Sequence, residues 1–493
     1  MKNIIYLFIL IIGFSNIFAQ QSTYNLEQTY PVQALKADLS ILKKQLETVH
    51  TGLYTYTPKT EMDRYFQQLE NSIEQPMTGL TFFRLLLPLS AKIRNGHTRF
   101  LPPSSYLDEM TATWKFFPFE VYWDKDQLYI LRNLSTHEEI PEGTIIETIN
   151  GEKATSIFQE ISQQLSRDGY NTSAPNTNAY ENFAALYASI KDLPEVFELT
   201  LTLKDETNTT LSVAARTQAA LRATKKARYK NSPPSWEDNK DGLNLTIKDS
   251  IATMTIRSFN SNYAKQQGKK NFKHFYKKSF EQIVAANIEH LIIDLRNNGG
   301  GDPMPTIELF AHLHPEPFTF YKAVTSNVQR VPDKQLYQTS FFERLIYPLA
   351  FKKQGDIYVP NWIARLAGLK GLKPSKPNTP YYAGKVYVLT NARSFSATGE
   401  MTAIIKTHNR AIFIGEEAGG NPNLNTSGFQ FVLTLPNTGN IIVLPFWSWA
   451  MNVDFENTRH GVLPDYPIRP SIADKLVGKD VVMEYAIDLI SKR

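Results

Sequence analysis

The segment Ser394-Phe395-Ser396-Ala397-Thr398-Gly399-Glu400 carries the residues of this chain best placed to do chemistry. Before it, Val386-Tyr387-Val388-Leu389 reads as a short buried strand. After it, Met401, Ile404, Ile405 and His408 have helical spacing. A serine at such a strand-to-helix turn has its hydroxyl pushed out of the fold, beside the free N–H groups and positive dipole end of the helix. That is a seat for a nucleophile whose reaction creates an oxyanion. Serine is also a favoured N-cap, so Ser396 could simply cap the helix.

A second feature with chemical content is Gly299-Gly300-Gly301, directly after the apolar run His290 to Leu295. Glycines there let backbone N–H groups come close to a ligand. No Gly-Lys-Ser/Thr ending follows, which excludes a P-loop. What remains is an oxyanion hole, with Gly299 or Gly300 donating alongside Ala397, or a structural turn with positive φ. The 9 histidines include no His-x-x-x-His pair and cysteine is absent, so a metal hydrolase is disfavoured and neither metal nor cofactor is expected.

The elements that must position these residues alternate strand and helix. Ile251 to Ile256 reads as a strand, Phe272 to Ala286 as a helix, His290 to Leu295 and Val386 to Leu389 as buried strands, and Ala411 to Gly415 as another strand. This predicts a βαβ-type layered core. Between Pro303 and Pro380 helices and insertions are expected rather than open loop. The N-terminal part differs. Leu35, Leu39, Leu42 and Leu46 have helical spacing, with further helices over Met62 to Ile73 and Leu80 to Ile93, the last with Thr78 or Thr81 as N-cap. From about Trp114 short strands follow: Phe119 to Tyr122, Leu128 to Leu131, Ile145 to Ile149 and the alternating Phe197 to Leu203, with a helix over Ala154 to Leu165. The fold class is α/β in a multidomain α+β arrangement. It divides into a signal peptide (1–19), a helical domain (20–110), a small β-rich module with its linker (111–232) and a catalytic domain (233–493).

Composition agrees with a large globular chain: 493 residues, 42% hydrophobic and 20% charged. Met1 to Ala19 has the signature of a cleaved secretory signal, with Lys2, an apolar Ile4 to Phe14 too short to span a bilayer, and Ala19 at the cleavage position. No later segment is apolar for long enough to cross a membrane, so stable insertion is not expected. With no cysteine there is no disulfide and no lipid-modified cysteine, which suits an exported, periplasmic or extracellular bacterial protein that relies on its core. Net charge is +5. The basic cluster Arg222, Lys225, Lys226, Arg228 and Lys230 lacks aromatic interleaving, so it reads as a solvated linker before Ser232-Pro233-Pro234 and not as a nucleic-acid site.

Asp294-Leu295-Arg296-Asn297-Asn298-Gly299-Gly300-Gly301 resembles the Asp-Leu-Arg-x-Asn-x-Gly-Gly signature of the tail-specific, or C-terminal-processing, serine peptidases. Ser394-Phe395-Ser396-Ala397 with Glu400 resembles their nucleophile segment. Three further matches are collinear with these. Ile145 to Gly151 resembles part of the family's PDZ-like module. Arg94-Asn95-Gly96-His97-Thr98 resembles an Asp-Gly-His-Thr motif of a bacterial branch, and Gly461-Val462-Leu463-Pro464-Asp465 a late Gly-Val-x-Pro-Asp. The resemblance implies a serine peptidase with Ser396 as nucleophile, acting on proteins or peptides that the PDZ-like module presents by strand addition.

One departure has mechanistic weight. Many members pair the serine with a downstream lysine, yet no lysine occurs from Thr407 to Asp474, and Glu416-Glu417 stand in the corresponding stretch. A serine hydroxyl needs a proton acceptor. The branch resembling tricorn protease uses Ser-His with an orienting acid, which implies His97 as base, titrating near ~6.5 if unperturbed. His460 is a second candidate, and His408, expected on the buried side of a helix, a poor third. For the acid the resemblance implies Glu456, with Asp454, Glu416 and Glu400 as alternatives. The expected function is a secreted serine endopeptidase. The alternative is a non-catalytic peptide-binding protein on a peptidase scaffold.

Overall fold

The structure is a computed structural model that describes residues 25–492 apart from 26, 231–236, 238–240, 340, 367–368 and 457–458. For residues 341–344, 346, 365–366 and 429 it describes the backbone alone. The segment read as a signal peptide and the Ser232-Pro233-Pro234 stretch lie outside the described residues.

Three helices open the described chain, Val32–Val49, Lys59–Ser72 and Gly79–Ile93. The third is anchored by Phe82, Leu86, Leu89 and Ile93, all essentially inaccessible. Each such side chain contributes about 1.5–3 kcal/mol by leaving water. Thr78 caps this helix by accepting the Thr81 N–H at 3.2 Å, and Arg94 ends it in the left-handed region at φ 54°. That reversal turns the chain from the helix into the segment Asn95 to Thr98. The next strand, Arg99–Leu101, pairs antiparallel with Ile441–Met451, so the segment is sewn into the C-terminal half of the protein.

The β-rich module holds a sheet in the order Asn208–Ala214, Val196–Thr202, Ile145–Ile149, Gln127–Asn133 and Phe119–Asp124, covered by helices Ala154–Gln164, Ser173–Glu181 and Phe183–Ile190. The basic cluster departs from the expectation of a solvated linker. Gln218–Arg228 is a helix capped by Thr217, lying on this module. Arg228 donates to the Asn133 carbonyl and pairs with Glu138, and Lys225 pairs with Glu120. Besides these ionic contacts the helix packs Leu221 on the cluster of Tyr106, Met110, Trp114 and Phe116, and one such side chain gives no hydrophobic period to mark it.

The C-terminal half is layered around a six-stranded sheet in the order Leu243–Lys248, Ile251–Ile256, His290–Asp294, Lys385–Thr390, Ile412–Gly415 and Tyr466–Pro467. All its pairings are parallel except the first. The strand expectations agree with this sheet to within one or two residues. The Pro303–Pro380 stretch, expected as helices and insertions, also supplies strands. Tyr321–Ser326, Phe351–Gln354 and Ile357–Pro360 join a second sheet built on the long hairpin Leu424–Thr434 and Ile441–Met451. That hairpin escaped the sequence reading. Its second strand is a continuous apolar run, buried on both faces, which lacks the alternation of a half-buried strand.

Candidate active site

The carboxyl ends of adjacent parallel strands His290–Asp294 and Lys385–Thr390 open onto one crevice, where open α/β sheets place their ligands. The loop after the first strand is Leu295 to Gly301, and the loop after the second carries Ser394 and Ser396. The Asp-Leu-Arg portion is structural. Arg296, almost fully buried, donates from Nε and Nη2 to both oxygens of Asp294 and reaches Asp480. Arg257 adds a further bond at 2.8 Å. Against the cost of burial, these guanidinium groups hold the Asp294 carboxyl far below the usual carboxylate range.

The two serines separate by environment. Ser394 Oγ donates to the Leu295 carbonyl at 2.9 Å and accepts the Asn391 N–H at 3.0 Å, so it closes its own loop. Ser396 sits at φ 60°, ψ −122°, a region L-residues rarely adopt, immediately before the helix Ala397–Thr407. Its side chain makes no capping bond. Instead Oγ lies 3.0 Å from His97 Nε2. Strain of this kind persists only where the surroundings enforce it. Here they do: the helix from Ala397 to Ile405 is buried, and the Phe395 N–H donates to the Asn298 carbonyl at 3.0 Å.

His97 reaches Ser396 through a chain of hydrogen bonds in the turn after the third helix. His50 Nδ1 accepts the Gly52 N–H, so its Nε2 carries the proton and donates to Thr98 Oγ1 at 2.8 Å. Thr98 Oγ1 donates to Asn95 Oδ1, which also takes the His97 N–H, and Asn95 Nδ2 bonds Thr426 Oγ1. The His97 ring packs on Phe395 with centroids 4.5 Å apart. His97 and Thr98 are both buried, so the segment is a packed turn. Burial, then the charge of Arg99 and the neighbouring His50, lowers the His97 pKa to about 3 instead of leaving it near its ordinary value.

The glycine cradle divides its roles in a way that corrects the reading of Gly300. Its N–H donates to Asn298 Oδ1 at 2.9 Å and is not free for an oxyanion. What Gly300 provides is space. At φ +97°, a Cβ would lie 2.8 Å from the Phe395 carbonyl oxygen, 2.8 Å from Ser396 Cβ and 2.9 Å from the Ala397 nitrogen. The N–H of Gly299, which is exposed, has no acceptor among the described residues. Ala397 opens its helix, so its N–H has no acceptor within the helix. Gly300→Ala is therefore expected to lower kcat at least ~100-fold, the cost of displacing a reacting group by about 1 Å. Active-serine titration beside a thermal melt checks this. A folded variant with unchanged kcat would show that the cradle does not set the nucleophile.

None of the four carboxylates considered for the acid faces His97. Glu456 and Asp454 are exposed. The reason is local: Phe455 is pinned at both backbone groups by the Asn423 side chain, which turns its two acidic neighbours outward. Glu400 is buried but accepts from Tyr321 Oη at 2.6 Å and from Asn425 Nδ2, tying the nucleophile helix to the second sheet. Glu416 lies near Arg469 and the Ala392 N–H. Its neighbour Glu417 takes the Gly461 N–H at 2.7 Å and faces His460 Nδ1 at 3.3 Å. Glu417 thus closes its loop onto Gly461. His408 is exposed at the far end of the nucleophile helix, against His314 and not on a buried face. The carboxylate that does touch the His97 segment, Asp168, comes from the β-rich module and was missed; its Oδ1 accepts the Gly96 N–H at 3.0 Å. No motif marks it in sequence. Among the described residues no group of three His, Asp or Glu could hold a metal ion.

Residues 250–468 match the family model Peptidase_S41, described as peptidase family S41. The match contains the glycine cradle, Ser396 and the Gly461–Asp465 segment, whereas His97 and Asp168 lie outside it. No curated protein matches the chain. Among solved structures, mature CPAF complexed with lactacystin is 16% identical over 92% of this chain and 97% of that one, with a TM-score of 0.60. Mature CPAF alone is 15% identical over 92% and 96%, with a TM-score of 0.59. At such identities these two structures speak for the fold. The family match over the glycine cradle and the helix that follows Ser396 supports peptidase family S41, the tail-specific serine peptidases, for residues 250–468 and indicates a serine peptidase.

Proposed function

We propose that this serine peptidase is an exported endopeptidase in which Ser396 is the nucleophile and His97 its general base. The observation that carries the reading is the 3.0 Å approach of His97 Nε2 to Ser396 Oγ at a strained backbone position. In this mechanism Oγ attacks the carbonyl carbon of a bound peptide, and its proton passes to Nε2. The carbonyl oxygen becomes an oxyanion, accepted by the N–H groups of Ala397 and Gly299 at the positive end of the buried helix. His97 then gives its proton to the leaving amine, the peptide C–N bond breaks and an acyl-enzyme remains. Water, deprotonated by the same imidazole, releases the acid and restores Ser396.

Peptide substrates follow from the family, and presentation by the β-rich module follows from its resemblance to a PDZ-like fold. The site reading is tested by labelling with a serine-directed phosphonate: the protein should react at Ser396 and the Ser396→Ala variant should not. Labelling that survives this substitution would assign the nucleophile elsewhere.

Export rests on the Met1 to Ala19 segment. Expressed in a bacterium, the protein is expected in the periplasmic fraction with an intact mass corresponding to cleavage near Ala19. A mass that retains Met1 to Ala19 would contradict this.

A further inference from the structure

The turn that carries His97 is gripped by a loop of the β-rich module, residues 165–172, between helices Ala154–Gln164 and Ser173–Glu181. The Gly169 N–H donates to the Arg94 carbonyl at 3.0 Å, and Arg94 Nη1 returns a bond to the Gly169 carbonyl at 3.1 Å. The Arg94 guanidinium lies 4.1 Å from the centre of the Tyr170 ring. The Tyr170 N–H donates to the Arg459 carbonyl at 2.8 Å. At the centre of this grip Asp168 Oδ1 accepts the Gly96 N–H. Gly96 makes the approach possible. A Cβ there would fall 2.7 Å from Asp168 Oδ2 and 2.7 Å from the Phe395 ring, so module, base turn and nucleophile segment meet at one Cα.

Two polar atoms on either side of Gly96 are left over. For His97 Nε2 to accept the serine proton, Nδ1 must carry the other hydrogen, and Nδ1 is buried with no partner among the described residues. Asp168 is 8% exposed, and its Oδ2 is likewise buried and unpartnered. The other buried carboxylates near the site, Glu400 and Glu417, have their oxygens engaged. An unpaired buried donor and an unpaired buried acceptor each cost about 1–3 kcal/mol.

We propose that Asp168 is the acid of this active site, a positioning residue that fixes His97 through the Gly96 peptide and stabilises the imidazolium by its charge, so that the β-rich module completes the catalytic apparatus. This rests on the Ser396–His97 reading. It replaces an acid supplied after the second sheet, at Glu456, with one supplied from a different domain. Burial shifts the two groups in opposite directions, the carboxyl up and the imidazole down. Burial first, then the charge of Glu417, raises the Asp168 pKa to about 6 against the Gly96 hydrogen bond. The other charged or titratable groups around it are Tyr56, Arg94, Arg167, Arg459 and His460; His50 and Arg99 face His97. Above pH ~6 the carboxylate is charged and favours a proton on the imidazole; below it the carboxyl is neutral and that help is withdrawn. Activity should therefore fall through pH ~6 because Asp168 gains a proton, even though His97 alone is pushed down to about 3.

The experiment is the pH dependence of kcat/KM for the full-length mature protein and for Asp168→Asn, each with a thermal melt. Asparagine keeps the size and the acceptor for the Gly96 N–H but removes the charge. The expected result is a folded variant with kcat/KM at neutral pH lowered at least tenfold and the inflection near pH 6 lost, while Glu456→Gln keeps the wild-type profile. A folded Asp168→Asn variant with the wild-type rate and inflection overturns the proposal. If that variant does not fold, the wild-type profile decides: no inflection near pH 6 overturns it, as does one left unmoved in Glu417→Gln, and an inflection that moves to lower pH in Glu417→Gln supports it. Failure of the underlying reading is distinguishable, since it would show as activity in Ser396→Ala or a normal His97→Gln, whatever Asp168→Asn does.

Discussion

Ser396→Ala is expected to remove peptidase activity to the detection limit while the protein stays folded. The hydroxyl makes one recorded contact, to His97 Nε2, and no capping bond. Its loss therefore leaves no buried group unsatisfied except that imidazole nitrogen, and alanine suits the helix start no worse than a serine that does not cap. Kinetically the effect is large because the nucleophile, and with it the covalent step, is gone. Ser394→Ala should separate the two serines in the opposite sense. Its Oγ satisfies both the Asn391 N–H and the Leu295 carbonyl, so stability should drop by about 1–3 kcal/mol with the nucleophile intact. Turnover with and without serine-directed inhibitor, beside denaturant melts of both variants, reads the contrast. Full activity in Ser396→Ala would remove the assignment, and a protein inert before and after the substitution would instead favour a scaffold that binds without cutting.

Legibility in the sequence followed physical type. Buried parallel strands flanked by helices announce themselves through short apolar runs, so the four central strands of the six-stranded sheet and the turn at Ser396 could be located, whereas the edge strands Leu243–Lys248 and Tyr466–Pro467 could not. The cradle could be located but its donors could not be told apart. Whether Gly299 or Gly300 has a free N–H depends on where the Asn298 side chain points. The acid was illegible for a different reason. Asp168 has no motif and lies in another domain, and its importance comes only from a loop closing over Gly96. Glu456 stood where the resemblance pointed, but Asn423 pins Phe455 and turns it outward. The helix Gln218–Arg228 was misread because its contacts are mostly polar and its docking rests on one leucine, Leu221, which leaves no periodic apolar signature.

His97→Gln should lower kcat/KM at least ~100-fold, within the usual range for removing a general base. Glutamine can approach the serine and fill much of the imidazole volume, but it accepts no proton. The residual reaction must then proceed through serine ionised by hydroxide, so its rate should climb about tenfold per pH unit through the alkaline range, where the parent enzyme is flat. That slope distinguishes loss of the base from mere distortion of the turn, which would lower the rate without changing its pH dependence. The turn itself should persist, because the bonds that hold it run through Asn95, Thr98, His50 and Gly96 and not through the His97 ring. His460→Ala is the comparison. His460 faces Glu417 from a part-exposed position, and the Gly461 N–H continues to hold that carboxylate when the ring is gone. Near-normal turnover is expected there, and an inactive His460→Ala beside a normal His97→Gln would reassign the base. Burial, Arg99 and His50 all disfavour a proton on His97. An imidazole that resists protonation this strongly is a poor base in isolation, and it becomes an effective one only if a charge beside it favours the proton it must take in the transition state. No lysine occurs from Thr407 to Asp474, and the proposal assigns that charge to Asp168, whose Oδ1 holds the Gly96 N–H next to the base.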